Sequence, residues 1–242
     1  MTQVLLQKGR YRARQSQAPE DIKAAQSLRA LAFECDDADE LDAHCTHILV
    51  EDTNTGEVQC CFRMLCLTAH DVSQSYSAQF YDLSALEHFE GAMVEMGRFC
   101  THPKASANPD ILRMAWGAMT VFVDANKIEL LFGCSSFRGV HTEDYLDSFA
   151  VLSARHLAPK RWLPRVKAPN VFRFSRAASG AFNIKRAMRA MPPLLKTYLM
   201  MGGWVSDHAV IDRKMNTLHV FTGVEIRAIP PARKRLLRAV VG

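Results

Sequence analysis

Long apolar runs are missing from this 242-residue chain. The longest, Ile128 to Phe132 and Leu194 to Trp204, contain Glu129 and Lys196 and fall far short of the roughly 20 residues a spanning helix needs. A helical membrane protein is therefore excluded. Met1 to Arg14 alternates apolar and basic residues but lacks the apolar core and small-residue cleavage site of a signal peptide, so a cytoplasmic protein is expected. There is no C-x-x-C pair either. The seven cysteines are odd in number and mostly sit in apolar stretches, which points to free buried thiols in a reducing compartment. His44, His47 and His102 have neither H-x-x-x-H nor any comparable ligand spacing, so no metal site is expected. No internal repeat is visible.

Charge is missing selectively. Between Arg29 and Arg63 stand nine acids and no Lys or Arg, whereas between Asp147 and Asp207 stand eleven bases and no acid. The net charge of +5 hides this separation. Opposite fields on one molecule can draw a small cation to one region and a polyanionic partner or membrane to another, although solvated loops fit the charge pattern equally well.

Against these absences, 48% hydrophobic and 23% charged residues describe a globular α/β protein able to bury a full core. Pro19 opens a helix that runs to about Phe33 with Ile22, Ala25, Leu28 and Ala32 on one face. His47 to Glu51 and Val58 to Leu67 flank Asn54-Thr55-Gly56, which reads as a hairpin, and a further strand is expected over Gly91 to Cys100. Asn108-Pro109 is an N-cap followed by a first-turn proline, leading into a helix. A strand over Lys127 to Cys134, a helix over Thr142 to Ala154 and a weaker strand over Val166 to Phe174 follow. The strand–helix–strand order implies a crossover with at least one parallel pair. Pro192 to Met201 reads as a short helix stopped by Gly202-Gly203, and Trp204 to Ile211 and Thr217 to Thr222 as two strands. The tail from Arg227 to Gly242 is basic and amphipathic: a helix on the domain surface is expected, with contact to anionic headgroups as the alternative.

Chemistry is concentrated in Glu95-Met96-Gly97-Arg98, near the end of an apolar strand. A carboxylate there can take a proton from an attacking ammonium, and the arginine can fix an anion or another carboxylate. Alone, the pair is indistinguishable from a surface ion pair. Cys100 and Cys134 lie in apolar runs and are read as structural thiols. Asp207 and His208 are neighbours on a strand, so without a bulge they cannot line one cavity together.

Several segments in order resemble a known family: Asp39-Glu40-Leu41-Asp42, then Arg63, Glu95 to Arg98, Phe132 to Phe137, Leu194 to Leu199, Val205 to Asp212 and Asn216 to Phe221. Together they are similar to the bacterial ornithine N-acyltransferases of ornithine-lipid synthesis, in the GNAT superfamily, and more distantly to acyl-homoserine-lactone synthases. The resemblance implies an α/β fold with a mixed, mostly antiparallel central sheet flanked by helices and a C-terminal strand and helix extension. It also implies one acyltransferase domain over residues 1–242, with a core of about 18–155 and a basic linker and substrate-binding extension of about 156–242. The implied reaction moves a (3-hydroxy)fatty acyl group from acyl carrier protein to the α-amino group of L-ornithine, with no bound cofactor.

Under this resemblance Glu95 and Arg98 are the catalytic pair, and Asp39, Asp42, Arg63, Ser135, Phe137, Asp207 and Asp212 hold substrate. The superfamily's glycine-rich pyrophosphate loop is absent before the Asn108 helix, where Lys104-Ala105-Ser106-Ala107-Asn108-Pro109 stands instead. A single phosphopantetheine phosphate could be held there by Lys104, Asn108 and Arg113 at the helix N-terminus. Arg161, Arg165 and Lys167, in the acid-free span, are expected to dock the acidic carrier protein. An acyl-homoserine-lactone synthase is the enzymatic alternative. A basic nucleic-acid or lipid-binding module is the other, but the span lacks a zinc-finger, helix-turn-helix or RNP pattern, so no nucleic-acid partner is expected.

Overall fold

The computed structural model describes residues 2–105, 108–177 and 182–240. Along the chain run β1 (Gln3–Lys8), β2 (Tyr11–Ser16), α1 (Pro19–Phe33), β3 (Thr46–Asp52), β4 (Val58–Leu67), β5 (Tyr81–Asp82), β6 (Ala92–Thr101), α2 (Pro109–Ala125) and β7 (Ile128–Arg138). There follow α3 (Leu146–Arg155), β8 (Arg165–Val166), β9 (Val171–Arg173), α4 (Ile184–Ala190), α5 (Pro193–Met200), β10 (Trp204–Asp212), β11 (Thr217–Glu225) and α6 (Pro231–Arg238). The described chain separates into two compact units, one of residues 1–66, 94–128 and 231–242, the other of residues 67–93 and 129–230.

In the first unit β1, β2, β3 and β4 are consecutive antiparallel neighbours and β6 follows β4 in the sheet order. The β3–β4 hairpin turns where expected. Gly56 adopts φ +76°, a conformation that would strain other residues, and its N–H donates to the Asp52 carbonyl at 2.7 Å. β3 is buried from His47 to Asp52, as expected of a strand covered on both faces. Ala25 and Leu28 of α1 pack with Cys61 and Cys100, while α2 lies against β1, β2 and β3. The Asn108 side chain caps α2 as its residue type predicts, accepting from the Asp110 N–H at 2.9 Å. The β1–β2 hairpin was not anticipated from the sequence.

In the second unit the order is β7, β11, β10, β9, and β7–β11, β11–β10 and β10–β9 are antiparallel. Among the described residues of this unit an isolated parallel bridge joins Leu157 and Val205. Alternation along β11 assigns its faces. Leu218 and Val220 join Phe149, Phe174, Ala187 and Leu195 in one core, while His219 and Phe221 meet Tyr81 on the other side. Two expected elements change here. The strand over Val166 to Phe174 is reduced to the short β8 and β9, and Thr142–Tyr145 is a 3-10 turn leading into α3.

Candidate active site

The first unit contains a buried charged network built from residues distant in sequence. Arg29, facing inward from α1, reaches Asp37 at 2.8 Å and Asp42 at 2.6 Å. Arg63 on β4 reaches Asp39 at 2.5 Å and Asp42 at 2.7 Å. Arg98 on β6 reaches Asp37 and Asp39, each at 3.0 Å. Three guanidiniums thus alternate with three carboxylates, and each carboxylate meets two cations. Burial alone would push the Asp42 carboxyl up, but the hydrogen bonds from Arg29, Gln26 and Arg63 outweigh it and hold the group well below the usual range. The same balance lowers Asp39, through Arg63 and Arg98. His47 sits beneath the network, its Nε2 2.9 Å from the Asp42 carbonyl, and burial lowers its pKa.

Arg98 enters this network because β6 breaks its alternation there. Residues three apart on a regular strand face opposite sides, but Arg98 has φ +56°, a left-handed conformation that costs a side-chain-bearing residue on the order of 1–3 kcal/mol. The kink turns its guanidinium toward Asp37 and Asp39. Three residues earlier Glu95 is buried, only 4% exposed, within the same strand. Cys45 is close enough for the Glu95 charge to act on it: burial first, with Glu95 and the aspartates adding, pushes this thiol up to about 12. Cys61 and Cys100 lie with their sulfurs 3.5 Å apart, and Cys61 is raised well above the ordinary thiol range by that contact and by burial. Such thiols are poor nucleophiles.

The resemblance assigns Asp39, Asp42 and Arg63 to substrate and Glu95 and Arg98 to catalysis; the structure joins Asp39, Asp42, Arg63 and Arg98 in ion pairs with Arg29 and Asp37, which sequence reasoning missed. Arg29 does carry a signal: it follows Leu28 on a helix whose inward face it shares, an unusual place for an arginine without a partner. For the helix N-terminus, Asn108 spends its oxygen on the cap and donates its Nδ2 to the Tyr11 hydroxyl at 2.8 Å, while Arg113 pairs with Asp110 at 2.5 Å on the exposed surface. Lys104 is exposed, and Ser106 and Ala107 lie outside the described residues.

The second unit holds a different polar group. A register shift between Val205 and Ala209 in β10 supplies the irregularity that the sequence alone left open, and the neighbours Asp207 and His208 meet side chain to side chain, Oδ1 to Nδ1 at 2.7 Å. His208 is fully buried while the Asp207 side chain is 39% exposed, so the pair runs from core to surface. The His208 hydrogen bond is the main reason the Asp207 carboxyl lies below its ordinary range. Behind it the Tyr81 hydroxyl donates to the His219 carbonyl at 2.8 Å, and burial pushes His219 down to about 4. Among the described residues the Nε2 atoms of His208 and His219 have no hydrogen-bond partner.

Of the other residues singled out from sequence, Ser135 accepts a hydrogen bond from Thr222 at 3.0 Å and Phe137 packs edge-on against Phe149. The Asp212 Oδ1 accepts from the Met215 N–H at 3.0 Å, holding the β10–β11 turn. Arg161 is exposed, 3.5 Å from Glu225 and over the Trp162 ring, and Arg165 is exposed on β8 opposite Asp82. Lys167 is exposed, its Nζ donating to the Ala78 carbonyl at 2.6 Å. No described helix is long and apolar enough to cross a membrane.

Residues 23–116 match the acetyltransferase (GNAT) domain family. An L-ornithine N(alpha)-acyltransferase of Rhodobacter capsulatus is 30% identical over 90% of this chain and 91% of its own length, and one of Brucella abortus is 29% identical over 86% and 82%. Among solved structures, an N-acyl amino acid synthase from uncultured soil microbes superposes with a TM-score of 0.53 over 91% of this chain and 94% of its own, at 11% identity. The loading GNAT-like domain of CurA from Lyngbya majuscula gives 0.50 over 90% and 99%, also at 11%. At such identities the structures speak for the fold, a mostly antiparallel mixed sheet flanked by helices.

Proposed function

This chain belongs to the L-ornithine N(alpha)-acyltransferase family and acylates the α-amino group of ornithine; we propose that the acyl group arrives as a (3-hydroxy)acyl thioester on acyl carrier protein, and that Glu95 is the base. The observation that carries the second half is the position of Glu95 on β6. Asp37, Asp39 and Asp42 are each held by two arginines, and Glu95 supplies a further carboxylate, buried at 4% exposure three residues before the left-handed Arg98 on β6.

In this reading the ornithine α-ammonium gives one proton to the Glu95 carboxylate, directly or through water. The freed nitrogen pair attacks the thioester carbonyl, whose oxygen becomes an oxyanion met by backbone N–H groups along Glu95 to Cys100. Collapse breaks the carbon–sulfur bond. The second nitrogen proton ends on the pantetheine sulfur, leaving amide, thiol and a protonated Glu95 that returns its proton to water. No covalent acyl-enzyme forms. The arginine–aspartate network sets the position of β6 and its kink at Arg98, and Arg98 acts as a positioning residue there.

The acceptor's second ammonium needs an accessible carboxylate without an arginine in direct contact. Asp207 fits: half-exposed, ionised, and oriented by a buried histidine. Lys104 and the α2 N-terminus receive the pantetheine phosphate, and Arg161 and Arg165 attract the acidic carrier protein. The basic α6, tied to α2 by the Arg238–Asp124 pair, contacts anionic headgroups at the cytoplasmic membrane surface.

The test is a purified reaction offered either 3-hydroxyacyl carrier protein or the matching coenzyme A thioester, with L-ornithine or S-adenosylmethionine as acceptor. N-acylornithine formed from the carrier-protein donor is expected. Acylation of S-adenosylmethionine alone would replace this reading with a lactone synthase.

A further inference from the structure

The helix α4 is built with its larger apolar residues outward. Ala187 is fully buried, with the Ser148 hydroxyl donating to its carbonyl at 2.9 Å, whereas Ile184 and Met188 are 43% and 39% exposed. An amphipathic helix held only by its own domain would do the reverse. Ile184 and Met188 are four residues apart and share one face; Lys185 and Arg189, also four apart and exposed, border it. Arg186 is held by Asp147, next to the 40% exposed Leu146 at the start of α3. The Lys196 Nζ donates to the Met188 carbonyl at 3.0 Å, so α5 fixes the end of α4. This surface is basic and aliphatic: its own span, Arg155 to Ser206, has no acidic residue, and the acids beside α4 are Asp147, taken up by Arg186, and Glu143 and Asp144 of the 3-10 turn that packs against it.

We infer that α4 is the principal docking helix for the acyl carrier protein, with Ile184 and Met188 as apolar anchors and Lys185 and Arg189 as charge partners. The inference rests on the carrier-protein donor proposed above and changes where the contact is made. Among the residues expected from sequence, Lys167 is committed to the Ala78 carbonyl and Arg161 stands beside Glu225, which leaves Arg165 as a peripheral steering charge. The occupant follows from charge and size. An acidic carrier helix offers carboxylates to Lys185 and Arg189 while covering two aliphatic side chains. That pair alone is a small apolar area for insertion into a bilayer.

The experiment compares the wild-type chain with K185E/R189E and I184S/M188S, using carrier protein charged with a 3-hydroxyacyl chain. Each double variant should raise KM for the charged carrier protein at least tenfold, with kcat and KM for ornithine within twofold of wild type. The charge variant should also lose most of the salt dependence of kcat/KM. Unchanged KM for the carrier protein in both variants overturns the inference. So does a fall in kcat with equal effects on both substrates, which marks a structural role. Loss of co-sedimentation with phosphatidylglycerol vesicles at unchanged carrier-protein kinetics reassigns the helix to a membrane. If the wild-type chain refuses the charged carrier protein but accepts the coenzyme A thioester, the donor reading itself falls, separately from the docking site.

Discussion

Arg63 and Asp42 meet at 2.7 Å with both side chains only 4% exposed, at the centre of a network that closes through Arg29, Asp37, Arg98 and Asp39. Removing one partner from such a pair leaves a desolvated charge behind. Asp42→Asn takes a carboxylate from two arginines at once, although Arg29 keeps Asp37 and Arg63 keeps Asp39. A loss of about 3 kcal/mol in urea unfolding at pH 7 is expected. A loss below about 1 kcal/mol would show that the remaining pairs are sufficient, in the range of exposed ion pairs.

Glu95→Gln keeps shape and removes the proton acceptor. Turnover should fall on the order of 10²- to 10⁴-fold, with circular dichroism and the thermal midpoint close to wild type. Near-normal kcat in the folded variant takes Glu95 out of the base role.

His219 gives the protein a specific acid sensitivity. Its folded pKa is about 4 because of burial, against an ordinary value of 6.5, so the unfolded chain binds a proton first as pH falls. The neutral imidazole is favourable above 6.5, and stability is lost between 6.5 and 4. A full traverse of that window is worth about 3 kcal/mol. The aspartates of the network lose their contribution only below about pH 4, since their folded values are depressed. Unfolding free energies at pH 7 and pH 5 should therefore differ in wild type and differ less in His219→Gln. An equal pH dependence in both would assign the loss to other groups.

Gly223 tests the packing of the second unit. A Cβ there would lie 2.4 Å from the Trp204 Cη2, on a ring that also packs against Phe221. Gly223→Ala must displace the indole and should cost roughly 1–3 kcal/mol, with a change in tryptophan fluorescence. Wild-type stability and emission would mean that the ring shifts freely.

Much of this fold was legible because local chemistry and final structure agree. Asn54-Thr55-Gly56 turned the hairpin, and Asn108-Pro109 opened α2 where their side chains dictate. β1 and β2 were not legible, since their pairing is exposed on the β1 side and depends on the tight turn at Gly9, φ +57°. α4 escaped because its visible apolar residues face away from the core, and periodicity marks only stripes that are buried. In the site, Asp39, Asp42, Arg63, Glu95 and Arg98 could be listed from a motif, but not their arrangement. That depends on a left-handed Arg98 and on Arg29 arriving from another element, neither of which sequence spacing encodes. The Asp207–His208 contact likewise needed the register shift in β10, an irregularity that alternation rules cannot foresee.

That contact sets the last prediction, on acceptor choice. Asp207 presents an ionised carboxylate at a half-exposed position, and the fully buried His208 donates its Nδ1–H to the Oδ1 and so fixes the rotamer. Among the described residues no lysine or arginine forms an ion pair with Asp207, in contrast to the aspartates of the first unit, although the charge of Arg173, opposite His208 on β9, helps to hold its carboxyl low. A charge-assisted hydrogen bond to the δ-ammonium of ornithine is worth about 1.5–3 kcal/mol, which corresponds to roughly 10- to 100-fold in affinity. L-norvaline has the same carbon skeleton without that amine. Asp207→Asn should raise KM for ornithine by this factor, leave the weaker reaction with norvaline unchanged, and so erase the preference between them. His208→Phe should loosen the carboxylate and raise the ornithine KM by less, with kcat retained. If Asp207→Asn slowed both acceptors equally, the carboxylate would be serving the fold and the δ-amine would be recognised elsewhere.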